Sequence, residues 1–267
     1  MSKTQELHES FVQQLEQLVT GDDWTEMMRT ASRFHNYSAR NVMLIHAQRP
    51  DATRVAGFST WKRVGRNVKR GAKGIAILAP CTFASLPTSH DEVSPLATRV
   101  GFRTTWVFDE SDTEGEELPH VSPTLLNGDA PHELWNLISE MIKDRGFTID
   151  RNDCSPANGI TRWLGKSVTV RPDLDPAQAT KTLTHELGHI ICDHGTEPRT
   201  PRDIAEVEAE SIAHIVCAAM GLDSASYSFP YVAQWSDGDI TLVRSTADKV
   251  VRLAHEVITQ LETRQQE

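Results

Sequence analysis

Leu183-Thr184-His185-Glu186-Leu187-Gly188-His189 is the stretch that decides how this 267-residue chain is read. Two histidines four residues apart on a helix project from one face about a turn apart, close enough to hold a single zinc ion through their ring nitrogens. The glutamate between them lies beside that ion. There a carboxylate can take a proton from water that the cation activates and return it to a leaving amine. Upstream, Asp175-Pro176-Ala177-Gln178 joins an N-cap residue, a proline at the first helical position and a glutamine three residues past the cap, so a helix is expected to start there. Gly195 is expected to end it in a left-handed conformation, with Pro198 and Pro201 beyond. Leu183, Leu187, Ile190 and Ile191 form the helix's buried stripe, which leaves His185 and His189 roughly opposite.

A second element must therefore cover the imidazoles. The helix expected over about 203–220 is rich in acids at its start, and Glu206 and Glu210 lie one turn apart on it. Glu206 is the expected third metal ligand, and Glu210 the residue that hydrogen-bonds a ligating histidine. Glu208 points elsewhere on the same helix and is the second choice as ligand. The plainer alternative is a pair of ordinary histidines on an amphipathic helix, with Glu206 an acid favoured near a helix start by the dipole. His194 and His214 read first as structural residues. Tyr227, Tyr231 or His194 could in principle stabilise an oxyanion, and the sequence does not choose among them.

Working outward, a helix over 132–144 and short strands over 147–149, 160–164 and 167–171 precede this region, and an amphipathic helix over 246–261 follows it. Nearer the start, helices are expected over 7–19, from Asp22 or Asp23 to Met28, and over 38–48, with strands over 75–78 and 100–108. Residues 109–120 carry six acids and no apolar pattern, a linker composition that puts the domain boundary near Leu118. The expected fold class is α+β: a helical and β N-terminal domain over 1–118, then a second domain over 119–267.

Hydrophobic content of 39% against 24% charge is enough to build cores, so wholesale disorder is excluded. No apolar run approaches the roughly 20 residues that span a bilayer, and residues 1–10 lack a secretory pattern, so a cytoplasmic location is expected. Cys81, Cys154, Cys192 and Cys217 are far apart with no Cys-x-x-Cys pair, which argues against both a cysteine zinc cage and a disulfide framework.

The net charge of −10 is unevenly spread: from Arg29 to Lys73 eleven Lys or Arg face one acid, Asp51. Such asymmetry points to an anionic partner. Arg40, Lys62, Arg63, Arg66, Lys69, Arg70 and Lys73, interleaved with Trp61, offer cations for a phosphate backbone and an aromatic face for bases, which is what a single-stranded DNA binder needs. The competing reading is a solvated basic face with Trp61 and Phe34 in the core. No Walker phosphate loop is present.

Two stretches together carry a family likeness. The run Ser38-Ala39-Arg40-Asn41-Val42-Met43-Leu44-Ile45, with Gly57-Phe58-Ser59-Thr60-Trp61, Gly65-Arg66-Asn67-Val68 and Lys69-Arg70-Gly71-Ala72-Lys73-Gly74-Ile75, resembles the N-terminal domain of ArdC-type antirestriction proteins. The later segments Leu183 to His189 and Glu206-Val207-Glu208-Ala209-Glu210 look like the zincin-like domain of the same group and of the related ImmA/IrrE metallopeptidases. The resemblance implies a single-stranded-DNA-binding domain joined to a gluzincin-like metallopeptidase domain, with His185, His189 and Glu206 as zinc ligands and Glu186 as general base. It further implies a role in shielding incoming DNA of mobile elements from restriction. Two functions follow: an active zinc metallopeptidase that also binds single-stranded DNA, or a non-enzymatic DNA-protecting protein whose zinc domain is structural.

Overall fold

The computed structural model describes residues 2–17, 21–84, 98–117, 130–196, 198–222 and 236–265. The chain is α+β and divides into two compact units, one of Met1–Gln14 and Met43–Leu118 and the other of Leu15–Val42 and Pro119–Glu267. Residues 15–42 thus belong with the second unit, not with the rest of the first 118 residues.

The first unit is built on an antiparallel sheet in the order β1-β4-β3, where β1 is Val55–Gly57, β3 is Ile75–Ala84 and β4 is Thr98–Asp109. The β3–β4 register runs from Ile75 opposite Val107 to Ala84 opposite Thr98. Ile75, Ala76, Ile77 and Leu78 are all buried, so the start of β3 is covered on both faces, which explains its unbroken apolar run. Its open edge is satisfied by a side chain at the end of helix α3 (Ala39–Gln48): the Gln48 amide donates to Ala76 O at 2.8 Å and accepts from Ala76 N at 2.9 Å. A short helix α4 (Phe58–Arg63) buries Trp61, whose indole Nε1 donates to Phe108 O at 2.8 Å.

The acidic stretch that reads as a linker does not begin as one. Asp109 is buried, a single 3-10 turn spans Glu110–Asp112, and β5 (Thr113–Gly115) pairs antiparallel with β2 (Arg66–Val68). Composition misleads there because what orders the segment is distant in sequence: Asp109 accepts from the backbone N–H groups of Thr53 and Arg54. The acids also answer the basic region, since Arg49 pairs with Asp112 and Arg54 with Glu110.

In the second unit, α5 (Ala130–Asp144), α6 (Pro176–Ile191), α7 (Arg202–Ala219) and α8 (Ile240–Arg264) pack with α2 (Gly21–Arg33) beside a three-stranded sheet. Trp24 on α2 is fully buried and its Nε1 donates to Ser211 Oγ on α7 at 2.8 Å. The sheet order is β6-β8-β7, with β6 (Thr148–Arg151) parallel and β7 (Gly159–Arg162) antiparallel to the central β8 (Ser167–Val170). Helix α6 starts as its sequence requires: Asp175 caps it by accepting from Gln178 N at 3.0 Å, and Pro176 follows. At its other end the expectation for Gly195 is corrected. Asp193, at φ 59°, is the left-handed residue, and Gly195 is instead small because the Trp163 ring presses against its Cα. The stripe Val250, Val251, Ala254, Val257, Ile258 and Leu261 of α8 is buried throughout. Among the described residues no helix is long and apolar enough to cross a membrane.

Candidate metal centre

Helix α7 lies along α6, and one residue allows the approach. A Cβ on Gly188 would stand 2.9 Å from Ala209 Cα and 3.0 Å from Ala209 O, so only glycine lets the two backbones come this close. Because Glu206 is nearly one turn before Ala209, the close crossing delivers its carboxylate to the paired imidazoles. His185 Nε2 and His189 Nε2 are 3.0 Å apart, and Glu206 Oε2 is 3.4 Å from the first and 3.7 Å from the second. Bonds of 2.0 to 2.1 Å in a tetrahedron put ligand atoms about 3.3 Å from one another, and these three separations bracket that value. The donor set, two neutral-capable imidazoles and a carboxylate with a side open to a cavity, fits a catalytic type of zinc site.

Electrostatics holds the three together. Burial opposes charge on His185, but the carboxylates of Glu206 and Glu210 outweigh it and lift its pKa to about 10. Glu206 is driven the other way, far below the ordinary carboxylate range, by hydrogen bonds to His185 and His189. Glu210 meets His185 Nδ1 at 2.7 Å. Glu186 is only 5% exposed, and its Oε2 accepts from Thr161 Oγ1 on β7 at 2.6 Å. Gly159, also on β7, makes room for that carboxylate: a Cβ there would lie 2.8 Å from Glu186 Oε1. The centre forms one wall of a cavity of about 590 Å³ between α6, α7 and β7, to which Lys181 and Arg202 also contribute.

Glu208, the second choice as ligand, faces away from the cavity. Its Oε2 lies 2.8 Å from His194 Nε2 and 2.6 Å from Lys249 Nζ on α8, while His194 Nδ1 lies 2.8 Å from His189 Nδ1. Burial pushes the nearby Cys192 thiol up to about 12. His214 is fully buried, and burial first, then Arg29, brings its imidazole down to about 4. Tyr227 and Tyr231 lie outside the described residues. Sequence reasoning missed Thr161, Gly159 and Lys249, none of which carries a local signal; His194 reads from the sequence as a structural residue at a helix end or an oxyanion candidate, not as the neighbour of His189 Nδ1.

The basic residues are divided by the structure. Trp61 is 2% exposed with its N–H engaged, so its ring has no face for a base, a correction to its place beside the cations. Arg66 is spent on the fold, donating through Nε to Thr113 Oγ1 at 2.7 Å and through its other nitrogens to backbone oxygens. Arg40 falls in the second unit beside Arg244 and Asp248. Lys62, Arg63, Lys69, Arg70 and Lys73 are exposed. Phe58, read from the sequence with the cations, is exposed at the start of the helix that carries Lys62 and Arg63; Phe102 and Trp106 on β4, which the sequence did not single out, are each half exposed. Trp106 packs over Gly74, next to Lys73, where a Cβ would lie 3.1 Å from the indole.

Fold and site together define an α+β protein with a candidate mononuclear cation site. Residues 2–125 match the family model of the N-terminal domain of anti-restriction factor ArdC. The fold matches the metal-free crystal structure of the antirestriction ArdC protein from plasmid R388, with a TM-score of 0.54 and 18% identity over 85% of this chain and 84% of that one. A Mn(II)-bound structure of the same R388 protein aligns with a TM-score of 0.49 at 17% identity, covering 88% of this chain and 97% of that one. The uncharacterized protein pXO2-81 of Bacillus anthracis is 25% identical over 90% of this chain, which spans about half (49%) of that relative's length. Residues 2–125 thus carry that family's N-terminal domain, and the chain shares the fold of the R388 ArdC protein.

Proposed function

We propose that this chain is a zinc-dependent, metallopeptidase-like protein that also binds single-stranded DNA and acts in antirestriction. The observation that carries the first part is the convergence of His185 Nε2, His189 Nε2 and Glu206 Oε2 within 3.7 Å, beside buried Glu186 and a cavity. Zn²⁺ in that position would polarise a peptide carbonyl and a water molecule. Glu186 would accept the proton from that water on its carboxylate and pass it to the departing amine, while the hydroxyl of Thr161 holds the carboxylate in place. Strand β7 is an edge of its sheet among the described residues and lines the cavity, so its backbone can receive an extended peptide as an added strand. The second domain would then be zincin-like, as the resemblance implies.

The DNA part rests on exposed Trp106, packed over Gly74 next to Lys73, and on exposed Phe58, Lys62, Arg63, Lys69 and Arg70. These observations favour a second reading as well, a DNA-protecting protein in which the metal centre only stabilises the fold. Glu186→Gln separates the two. It should retain Zn²⁺ and DNA binding yet lose cleavage of an unfolded protein such as casein, together with protection of transforming DNA in a restricting host. Full protection by Glu186→Gln would decide for the structural role.

A further inference from the structure

Metal ligands need a defined proton on the ring nitrogen that does not bind the ion, and in this chain His189 takes that instruction from an unusual partner. Most ligating histidines donate to a carboxylate or a carbonyl. His189 Nδ1 instead faces another imidazole nitrogen, His194 Nδ1, at 2.8 Å. For His189 Nε2 to offer its lone pair to a cation, His189 must carry its proton on Nδ1 and donate it. His194 Nδ1 must then be the acceptor, so the His194 proton sits on Nε2 and is donated to Glu208 Oε2 at 2.8 Å. The same carboxylate oxygen receives the Lys249 ammonium at 2.6 Å. Only one arrangement of protons satisfies every link while leaving His189 able to bind metal. His194 and Glu208 are both nine-tenths or more buried, so no water competes for these roles.

Resting on the reading of His185, His189 and Glu206 as a metal centre, we propose that Lys249 on α8 is a positioning residue for it, acting through Glu208 and His194 to fix the tautomer and orientation of His189. The ammonium anchors the chain at its far end: it holds the same Glu208 oxygen that His194 Nε2 faces, so removing it frees that carboxylate to turn, and with it the His194 ring that orients His189. Cys192, His194 and Glu208 also lie close enough together to be mistaken for a second metal site, but the Lys249 ammonium already supplies the positive charge there.

The test uses the full chain and Zn²⁺ alone, with Co²⁺ as a spectroscopic substitute. Lys249→Met, folded by circular dichroism, should bind Zn²⁺ ten- to a hundred-fold more weakly, as loss of an outer partner does, and should alter the visible spectrum of the Co²⁺ form. Lys249→Arg should restore both. Should Lys249→Met fail to fold, Glu208→Gln with Lys249→Met takes its place: the amide oxygen still accepts from His194 Nε2 without an unpaired charge, so Zn²⁺ affinity should stay within about tenfold of the parent, a smaller loss than the relay's collapse. A folded Lys249→Met protein with parental affinity and spectrum would overturn the proposal, as would a second bound Zn²⁺ lost in Cys192→Ser. A parent chain that binds no Zn²⁺ defeats the metal-centre reading itself, an outcome distinct from either.

Discussion

Glu210 Oε2 stands 2.7 Å from His185 Nδ1 while Glu206 Oε2 stands 3.4 Å from Nε2 of the same ring, so the two carboxylates one turn apart on α7 address opposite nitrogens of one imidazole. This division gives Glu210 a task separable from that of Glu206. Glu210→Ala leaves the three ligand atoms intact but removes the acceptor that keeps the His185 proton on Nδ1. Zn²⁺ affinity should fall ten- to a hundred-fold, whereas Glu206→Ala, which deletes a ligand, should lose more. Titration calorimetry of both variants checks the order; equal losses would contradict the split.

Cation uptake should release a proton. In the metal-free protein the pKa of His185 is lifted to about 10, because Glu206 and Glu210 outweigh the opposing effect of burial. Glu206 is held low and is already ionised at neutral pH, so it has no proton to give. At pH 7.5 the site is therefore loaded at the expense of one proton from His185, and apparent Zn²⁺ affinity should climb about tenfold per pH unit up to about pH 10. The sign for the metal-free fold is the reverse. A raised imidazole pKa adds stability that is complete below the unfolded value of 6.5 and is lost as pH rises through about 10. Calorimetry in buffers of different ionisation heat counts the proton directly, and a count near zero would contradict this account.

What could be read from the residues, and what could not, divides along a physical line. Helix α6, its Asp175 cap and the pairing of Glu206 with Glu210 follow from local chemistry and helical period, because residues four apart share a face. Glu208 is two positions from Glu206 and so must point elsewhere, but where it points depends on Lys249, 41 residues on, and no local pattern announces that. The acidic run after Asp109 shows no local sign of order for the same reason, since what orders its start is Thr53 and Arg54. Charge counting along 29–73 overstated the free basic surface, because Glu26, Glu110 and Asp112 pair with Arg29, Arg54 and Arg49.

Gly159 is small because Glu186 and Thr182 need the space. A Cβ would meet Thr182 Cγ2 at 2.6 Å and Glu186 Oε1 at 2.8 Å, so β7 or the carboxylate has to move. Gly159→Ala should therefore depress any peptide cleavage by tenfold or more while Zn²⁺ affinity changes by less than threefold, since none of the three ligand atoms is touched. Assaying both on one preparation separates displacement of the base from damage to the centre, and parallel losses would argue for the latter.

Asp109 predicts behaviour in acid. Burial alone would raise its pKa, but Ser111 Oγ and the backbone N–H groups of Thr53, Ser111 and Arg54 together hold it below the ordinary value of 3.8. A depressed carboxyl stabilises the fold above the unfolded pKa and loses that contribution as pH falls through the folded one. Asp109→Asn places an amide N–H₂ against groups that donate, at a cost of about 1 to 3 kcal/mol at pH 7. The gap in urea stability between parent and variant should narrow below about pH 3.8, the ordinary carboxyl value; a gap constant to pH 2 would contradict the assignment.

For DNA, exposure rather than composition should decide which aromatic matters. Trp61 is buried with its N–H bonded to Phe108 O, whereas Trp106 is half exposed and rests on Gly74 beside Lys73. Stacking on one aromatic ring contributes about 1 to 3 kcal/mol per base, so Trp106→Ala should weaken binding of a single-stranded oligonucleotide by about fivefold to more than a hundredfold. Arg70→Ala with Lys73→Ala should instead weaken all sequences alike and flatten the dependence of log K on log salt by about 1.4, at roughly 0.7 per phosphate contact removed. Trp61→Phe should lower the stability of its unit with little change in the salt slope. Fluorescence anisotropy across a salt series measures all three, and unchanged affinity in Trp106→Ala would move the binding surface off β4.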